Sequence, residues 1–142
     1  MTVFRITLDK YSHKLFASGN PARWNSKGVK IIYTAGTRAL ACLENIVHRN
    51  SRGFNGNFRT LLIDIPEKLK TEEIQRNDLR QNWQQYQSVN YTQEIGTKWI
   101  AGNSSAILRV PSAIIPEEFN YLINPAHIDF KHIRLVSTEP FE

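Results

Sequence analysis

Two arginines and a tyrosine occupy positions in this sequence that suggest chemistry. Arg23 and Tyr33 lie near the two ends of the stretch NPARWNSKGVKIIYTAG, and Arg5 interrupts an otherwise apolar strand segment. The arginine side chain presents a planar fork of donors that suits phosphate or carboxylate oxygens. The pattern therefore predicts an anion-binding site. It is also consistent with a solvent-exposed Arg5, stacking of Arg23 on the neighbouring tryptophan and a Tyr33 ring in the core.

Glu44 is the acidic candidate. At 100° per residue it lies about 40° from Leu40 in a helix that Thr37 is predicted to cap and that extends to about His48. This places it beside Val47, at the edge of the apolar stripe. A carboxylate there must be paired, hydrogen-bonded or neutralised, because burying an unpaired charge is unfavourable. A functional anion and an i,i+4 pair with His48 are both consistent with the position.

Ser112 follows Pro111 at the end of a strand and is the serine candidate for the site. A hydroxyl in this position commonly bonds nearby backbone. The sequence has no GxSxG elbow, Walker loop or GxGxxG fingerprint, so a hydrolase serine is not indicated and a nucleotide would be held by side chains. The four histidines lack paired-ligand spacing, so no metal site is predicted.

Composition indicates one globular domain, covering residues 1–142. Charged and hydrophobic residues make up 22% and 41% of the chain, which argues against disorder. No apolar run approaches the roughly 20 residues needed to span a membrane, and no signal peptide is visible, so a cytoplasmic location is expected. The single cysteine, Cys42, excludes an intrachain disulfide. The net charge of +5 favours an anionic ligand, or serves solubility alone.

The hydrophobic pattern predicts a small mixed α+β domain with two main helices and many short strands. The first helix follows Thr37, and the second begins at a capping pair of Asn90 and Gln93 and ends at Gly102. Residues 67–89 are irregular, with one short helix near residues 80–86. The predicted strands are VFRITL, VKIIYT, FRTLLIDI, AILRV, EFNYLIN and HIRLV.

Nearly the whole chain resembles the RES-domain family, named for its Arg, Glu and Ser. The matching segments are FRI at 4–6, ARWNSKG at 22–28, YTAGTRALACLENIVH at 33–48 and GTKWIAGNSSAILRVPSAIIPEEFNYLINPAHIDF at 96–130. Residues 51–91 match least. Pro21 and Ala22 stand where the family usually has glycines before its Arg-Trp pair, so a different loop shape is expected there.

The resemblance implies an ADP-ribosyltransferase-like fold and the toxin role of a bacterial toxin–antitoxin pair. Family members destroy NAD by hydrolysis or phosphorolysis of the nicotinamide–ribose bond. NAD is then the substrate, with no separate cofactor and no metal. The implied partner is a helix-turn-helix (Xre-like) antitoxin in a hetero-oligomer. Neither a membrane nor a nucleic acid is expected to bind directly.

The resemblance also transfers the family's site onto five residues, Arg5, Arg23, Tyr33, Glu44 and Ser112. Glu44 is implied to be catalytic together with Arg5 and Arg23. The two arginines, Tyr33 and Ser112 are implied to bind the substrate, and Ser112 to hold Glu44 or an arginine in place. We expect the Glu44 carboxylate to touch both guanidinium groups around a hollow the size of a dinucleotide.

Three other functions fit the sequence. The ADP-ribosyl group could pass to a macromolecule instead of water or phosphate. A basic nucleic-acid-binding or RNA-cleaving toxin is compatible with the net charge and the aromatic residues Trp83, Tyr86 and Tyr91. A non-catalytic interaction domain with surface ion pairs is the third.

Overall fold

The computed structural model describes the backbone of residues 1–52 and 57–141, and the side chains of these residues except 48–52. The proposed pair of Glu44 with His48 therefore lies outside the described residues. The described chain contains seven strands and two α-helices: β1 (Thr2–Leu8), β2 (Ile32–Ala35), α1 (Arg38–Arg52), β3 (Phe58–Asp64), β4 (Thr71–Glu73), α2 (Val89–Gly102), β5 (Ile107–Pro111), β6 (Phe119–Ile123) and β7 (Arg134–Phe141).

The strands form one mixed sheet in the order β4-β5-β6-β2-β1-β3-β7. Neighbouring strands are antiparallel except β4 and β5, which are parallel. β1 pairs with β3 along its whole length. With β2 it shares a single pair among the described residues, Phe4 opposite Ala35. The sheet is therefore split between β2 and β1.

Apolar side chains cover both faces of the sheet. One face carries a core that includes Val3, Ile32, Leu61, Ile107 and Ile123. The other face carries Leu108, Val110 and Leu122 under three tryptophans. This two-sided burial explains the short apolar runs that predicted the strands. Within the described residues, neither helix is long and apolar enough to cross a membrane.

Helix α1 lies on the sheet beside the split. Thr37 caps it as predicted, because its Oγ1 accepts the backbone N–H of Leu40 at 3.1 Å. Leu40 and Ala41 are buried against Ala35, with Phe4 and Ile6 of β1 packed around them. The prediction that the buried apolar stripe of this helix runs through Val47 is wrong, because Val47 is exposed.

The buried residues Leu40 and Ala41 define the face of α1 that packs against the sheet. Val47 is 48% exposed, whereas Leu40 and Ala41 are buried. At 100° per residue, Glu44 falls between Leu40 and Ala41, about 40° from one and 60° from the other. Glu44 therefore faces the sheet from within the packed face and not from its edge.

Helix α2 packs against the loop that precedes β2. Its Gly96 comes so close to this loop that a Cβ atom there would lie 1.7 Å from the carbonyl oxygen of Trp24. The predicted Asn90–Gln93 capping pair is wrong, because α2 begins at Val89 and the Gln93 amide donates instead to the Ala22 carbonyl at 2.9 Å. The helix ends at Gly102 as predicted, and Asn103 caps it in the left-handed conformation (φ 50°).

Residues 67–89 differ from the prediction of a short helix near 80–86. This segment contains β4 and single turns of 3₁₀ helix at residues 76–78 and 86–88. The β4 strand forms by long-range parallel pairing with β5, and Leu79 and Trp83 are buried in the tryptophan core. Tertiary contacts thus fix a segment with weak local periodicity.

Candidate functional site

Arg5 lies at the split between β1 and β2. Its Nη1 donates to the backbone carbonyl of Tyr33 at 2.9 Å, across the gap where β1 and β2 no longer pair. The side chain is half-buried, and burial lowers the pKa of its guanidinium while the nearby Tyr33 partly offsets this effect. Among the described residues Arg5 has no carboxylate partner. Most of its five donors therefore remain available to an anion.

Tyr33 binds the loop before β2 through its hydroxyl. The hydroxyl donates to Asn25 Oδ1 at 2.5 Å and accepts the backbone N–H of Trp24 at 2.9 Å. Asn25 is buried, and its amide donates to the carbonyls of Asn20 and Val29 at 2.9 and 2.8 Å. Burial raises the pKa of Tyr33, so it remains a neutral phenol at pH 7. Its hydroxyl thus holds the loop that carries Arg23.

Arg23 extends from this loop to the segment after β4. Its Nη1 donates to the carbonyls of Trp83 and Gln85 at 3.3 and 3.4 Å. Burial lowers the pKa of this guanidinium as well. Helix α2 holds the backbone at this point, since Thr92 Oγ1 donates to the Arg23 carbonyl at 2.6 Å. Like Arg5, Arg23 forms no ion pair with any described residue.

Glu44 is held by two donors on the sheet. Its Oε1 accepts the Asn120 amide at 2.9 Å, and its Oε2 accepts the Ser112 hydroxyl at 3.2 Å. Burial raises the pKa of the carboxyl above its ordinary value, and the two hydrogen bonds oppose this shift. The charge of nearby Glu118 raises the pKa further. The carboxyl is half-buried and held against strands β5 and β6.

Ser112 is fully buried in the connection from β5 to β6. Besides donating to Glu44, its Oγ accepts the backbone N–H groups of Ile114 and Ile115 at 3.1 and 3.2 Å. Its own N–H donates to the Glu118 carbonyl at 2.8 Å. The hydroxyl therefore bonds neighbouring backbone, as predicted, and contacts Glu44 at the same time.

The expected contact of Glu44 with the two arginines is wrong for the structure described. No described ion pair joins Glu44 to Arg5 or Arg23. Phe4 and Ile6 of β1 pack under α1, whereas the Arg5 guanidinium lies at the split between β1 and β2, where it donates to the Tyr33 carbonyl. The acidic and basic groups form two separate clusters.

Strand β2 connects the two clusters through consecutive carbonyl groups. The Tyr33 carbonyl accepts from Arg5 at 2.9 Å, and the Thr34 carbonyl accepts from the Asn120 amide at 3.1 Å. Asn120 also donates to Glu44. Arg5 and the Asn120–Glu44 pair are therefore bonded to adjacent residues of β2.

Sequence reasoning missed Asn25 and Asn120. Both are buried amides, 1% and 8% exposed. Asn25 fixes the loop before β2 by local hydrogen bonds, whereas Asn120 joins β6 to α1, which is distant in sequence. A signal was present for Asn120, because it occupies the same strand face as the apolar Leu122 in a strand with period-two alternation. A polar residue at an inward position requires a partner.

A polar groove of about 700 Å³ lies next to this site. Residues 73, 75–77 and 79–84 line it together with Phe119, and the Trp83 carbonyl connects it to Arg23. Arg5 and Glu44 are not part of its lining. It is therefore not the dinucleotide-sized hollow that was expected between the charged residues.

The fold places the protein in a known structural class. The structure matches a solved toxin–antitoxin complex, MbcT–MbcA of M. tuberculosis, with a TM-score of 0.82 over 99% of this chain and 83% of that chain, at 15% identity. The predicted α+β, ADP-ribosyltransferase-like fold is confirmed.

Sequence comparison identifies the family. The RES domain family matches residues 2–142, and the chain belongs to this family. It is 41% identical over 114 residues to a Prs ADP-ribosylating toxin of Sphingobium sp. (strain YBL2), covering 79% of this chain and 71% of the relative. It is 34% identical over 135 residues to Toxin Res of Yersinia enterocolitica serotype O:8 / biotype 1B, covering 92% and 88%.

Proposed function

We propose that this RES-domain protein is the toxin of a bacterial toxin–antitoxin pair and degrades cytoplasmic NAD by cleaving the nicotinamide–ribose bond. The observation that carries the proposal is the half-buried Glu44 carboxylate, held by Ser112 and Asn120 and connected through β2 to Arg5. A fixed anion of this kind suits a reaction in which positive charge develops on a sugar.

In the proposed reaction, the bond from the ribose to the nicotinamide nitrogen breaks and its electron pair leaves with neutral nicotinamide. The ribose becomes oxocarbenium-like, and Glu44 stabilises this cation or binds a ribose hydroxyl, as carboxylates do in glycoside hydrolysis. Water then gives ADP-ribose and a proton, whereas phosphate gives phosphorylated ADP-ribose. Partial burial of Glu44 strengthens its effect on a nearby cation.

The two arginines are proposed to bind the pyrophosphate of NAD or an attacking phosphate. Neither has a carboxylate partner among the described residues, and burial lowers the pKa of both guanidinium groups. An anionic ligand would compensate their charge, and the planar guanidinium matches phosphate oxygens better than an ammonium group. The proposal therefore assigns the anion-binding role to Arg5 and Arg23.

Release of nicotinamide by the purified protein, with and without phosphate, tests the activity and identifies the acceptor. Glu44→Gln is expected to lower nicotinamide release by about 100-fold or more, because a fixed group facing developing charge contributes that much in other enzymes. Glu94→Gln is the matched control, since Glu94 forms an exposed pair with Lys98 on α2. Undiminished NAD loss in a folded Glu44→Gln protein would reject the assignment.

Transfer of ADP-ribose to a macromolecule is the second candidate. The name of the Sphingobium relative, an ADP-ribosylating toxin, favours it. Incubation with adenylate-labelled NAD and a cell extract separates the two reactions. Label in free ADP-ribose or its phosphorylated form supports degradation, whereas label in protein supports transfer.

The nucleic-acid alternative loses most of its support in the structure. Trp83 is 4% exposed and packs against Trp24, with ring centroids 5.9 Å apart. The Tyr91 ring is covered by the guanidinium of Arg80, 4.1 Å from its centroid. Of the three aromatic residues considered, Tyr86 alone is well exposed, at 84%. One exposed ring does not make a base-stacking platform.

An antitoxin is the proposed partner, because unrestrained NAD loss would harm the cell that makes the enzyme. The solved structure with the same fold is itself a toxin–antitoxin complex, which supports this expectation. The proposed antitoxin contains a helix-turn-helix part and forms a hetero-oligomer with this chain. Co-expression with a gene encoded beside it should restore growth and yield a co-purifying complex.

A further inference from the structure

The Asn120 amide donates both of its hydrogens inside the protein. Nδ2 donates to the Thr34 carbonyl at 3.1 Å and to Glu44 Oε1 at 2.9 Å. A backbone carbonyl can only accept, so the bond to Thr34 fixes which side of the amide is the nitrogen. Towards Glu44, Asn120 is therefore a donor and cannot act as an acceptor.

Ser112 is also restricted to donation. Its two acceptor positions are taken by the backbone N–H groups of Ile114 and Ile115. Its single proton is then left for Glu44 Oε2, 3.2 Å away. Both oxygens of the Glu44 carboxyl thus face groups that can only donate.

We infer that Asn120 is a positioning residue that, together with Ser112, holds Glu44 as an anion and leaves its carboxylate to accept from the substrate. Two fixed donors favour the ionised carboxylate over the neutral acid. A protonated Glu44 would have to turn its O–H away from both partners. Glu44 therefore works as a carboxylate and not as a proton donor; the activity readout of this inference rests on the proposed function.

The charged groups around Glu44 are few in the described part of the chain. From the connection between β5 and β6, Glu118 acts on it by repulsion. Its neighbour Glu117 is paired with Arg76. On α1 itself, Arg38 is paired with Glu139 of β7.

The strands on either side of the split form no ion pair with Glu44 among the described residues. Arg5 of β1 donates to the Tyr33 carbonyl, and Tyr33 of β2 is neutral at pH 7. Burial and the charge of Glu118 oppose ionisation of Glu44, and the hydrogen bonds from Asn120 and Ser112 favour it. Removing one of them should move the titration of Glu44 to higher pH.

Asn120→Ala and Asn120→Asp test the inference in purified protein. Both should lower kcat for nicotinamide release at pH 7 by about tenfold or more, with KM within about twofold, because one hydrogen bond to a charged group is worth at least that factor. The acid limb of the kcat profile should move to higher pH, further in Asn120→Asp because of its added carboxyl. Unchanged profiles in both variants would overturn the inference.

Asn124→Ala is the matched control. Asn124 is a buried amide directly after β6, bonded to Asn103 and to the backbone of Ala126 and not to Glu44. It should lose stability without a shift in the pH profile. A shift of equal size in this control would show that Asn120 acts only through general stability.

Carbon-13 NMR of the glutamate carboxyl groups gives a readout that does not need activity. The Glu44 signal is assigned by its absence in Glu44→Gln, and its titration is compared in wild type, Asn120→Ala and Ser112→Ala. A shift to higher pH in the variants supports the inference even if NAD is not the substrate. If Asn120→Ala does not fold, Ser112→Ala alone decides, and an unshifted Glu44 titration would refute it.

Discussion

At the scale of single residues, the main contribution of Tyr33 comes from the hydrogen bonds of its hydroxyl and not from its ring. The sequence predicts a Tyr33 ring that lies in the core or binds the substrate. In the structure, the hydroxyl bonds Trp24 and Asn25 and so fixes the loop of Arg23. Its effect on the site is exerted through the position of that arginine.

Tyr33→Phe removes this hydroxyl and leaves two buried partners without it. The free energy of unfolding should fall by about 1–3 kcal/mol, because a buried donor and acceptor lose their bond. KM for NAD should rise, since the Arg23 loop is less well fixed. Urea unfolding and initial rates measure the two effects, and Tyr86→Phe, at an 84% exposed position, serves as control. Equal stability of Tyr33→Phe and wild type would contradict the role of this hydroxyl.

The raised pKa of Glu44 has an effect on stability whose sign can be stated. Burial raises its pKa above the ordinary value of 4.5, so the folded protein binds this proton more tightly than the unfolded chain. The corresponding stability is present below that value and is lost as the pH rises through the folded pKa. Relative to wild type, Glu44→Gln should therefore gain stability as the pH rises above the ordinary value of 4.5 and through the raised pKa of Glu44. Unfolding free energies measured across this range test the slope, and a difference that is constant or of opposite slope would contradict the raised pKa.

At the scale of elements, helix α2 sets the position of the Arg23 loop. Gly96 allows the helix backbone to approach the Trp24 carbonyl, while Thr92 and Gln93 donate to the carbonyls of Arg23 and Ala22. The loop with Pro21 and Ala22 in place of glycines is thus held by the helix. Its geometry depends on this close packing.

Gly96→Ala tests the packing, because the added methyl group would overlap the Trp24 carbonyl. We expect a loss of about 1–3 kcal/mol or more in unfolding free energy, the usual effect of overpacking. Gly102→Ala on the same helix is the control, since a methyl group there would meet no atom within 4 Å beyond its immediate helix neighbours. Chemical denaturation of both proteins measures the difference, and equal stability of the two would show that α2 does not approach the loop this closely.

At the scale of the whole molecule, the sequence predicts which residues are unusual better than it predicts how they meet. Arg5 and Glu44 were singled out because each breaks a local hydrophobic pattern, and most strands and both helices follow from periodicity. The contacts they make depend on which part of the sheet α1 covers, and this cannot be read from the local sequence pattern. For the same reason, the contact of Glu44 with Arg5 was predicted wrongly and Asn120 was missed.

Strand β2, only four residues long, holds the anion-binding part of the site with one carbonyl and the acidic part with the next. A deletion or insertion of one residue within β2 would shift the Tyr33 and Thr34 carbonyls together, so the bonds from Arg5 and Asn120 would both be disturbed. The two halves of the site consequently cannot be adjusted independently by changes in this strand. Insertions and deletions should therefore be tolerated in the loops between strands, whereas within β2 they should abolish function.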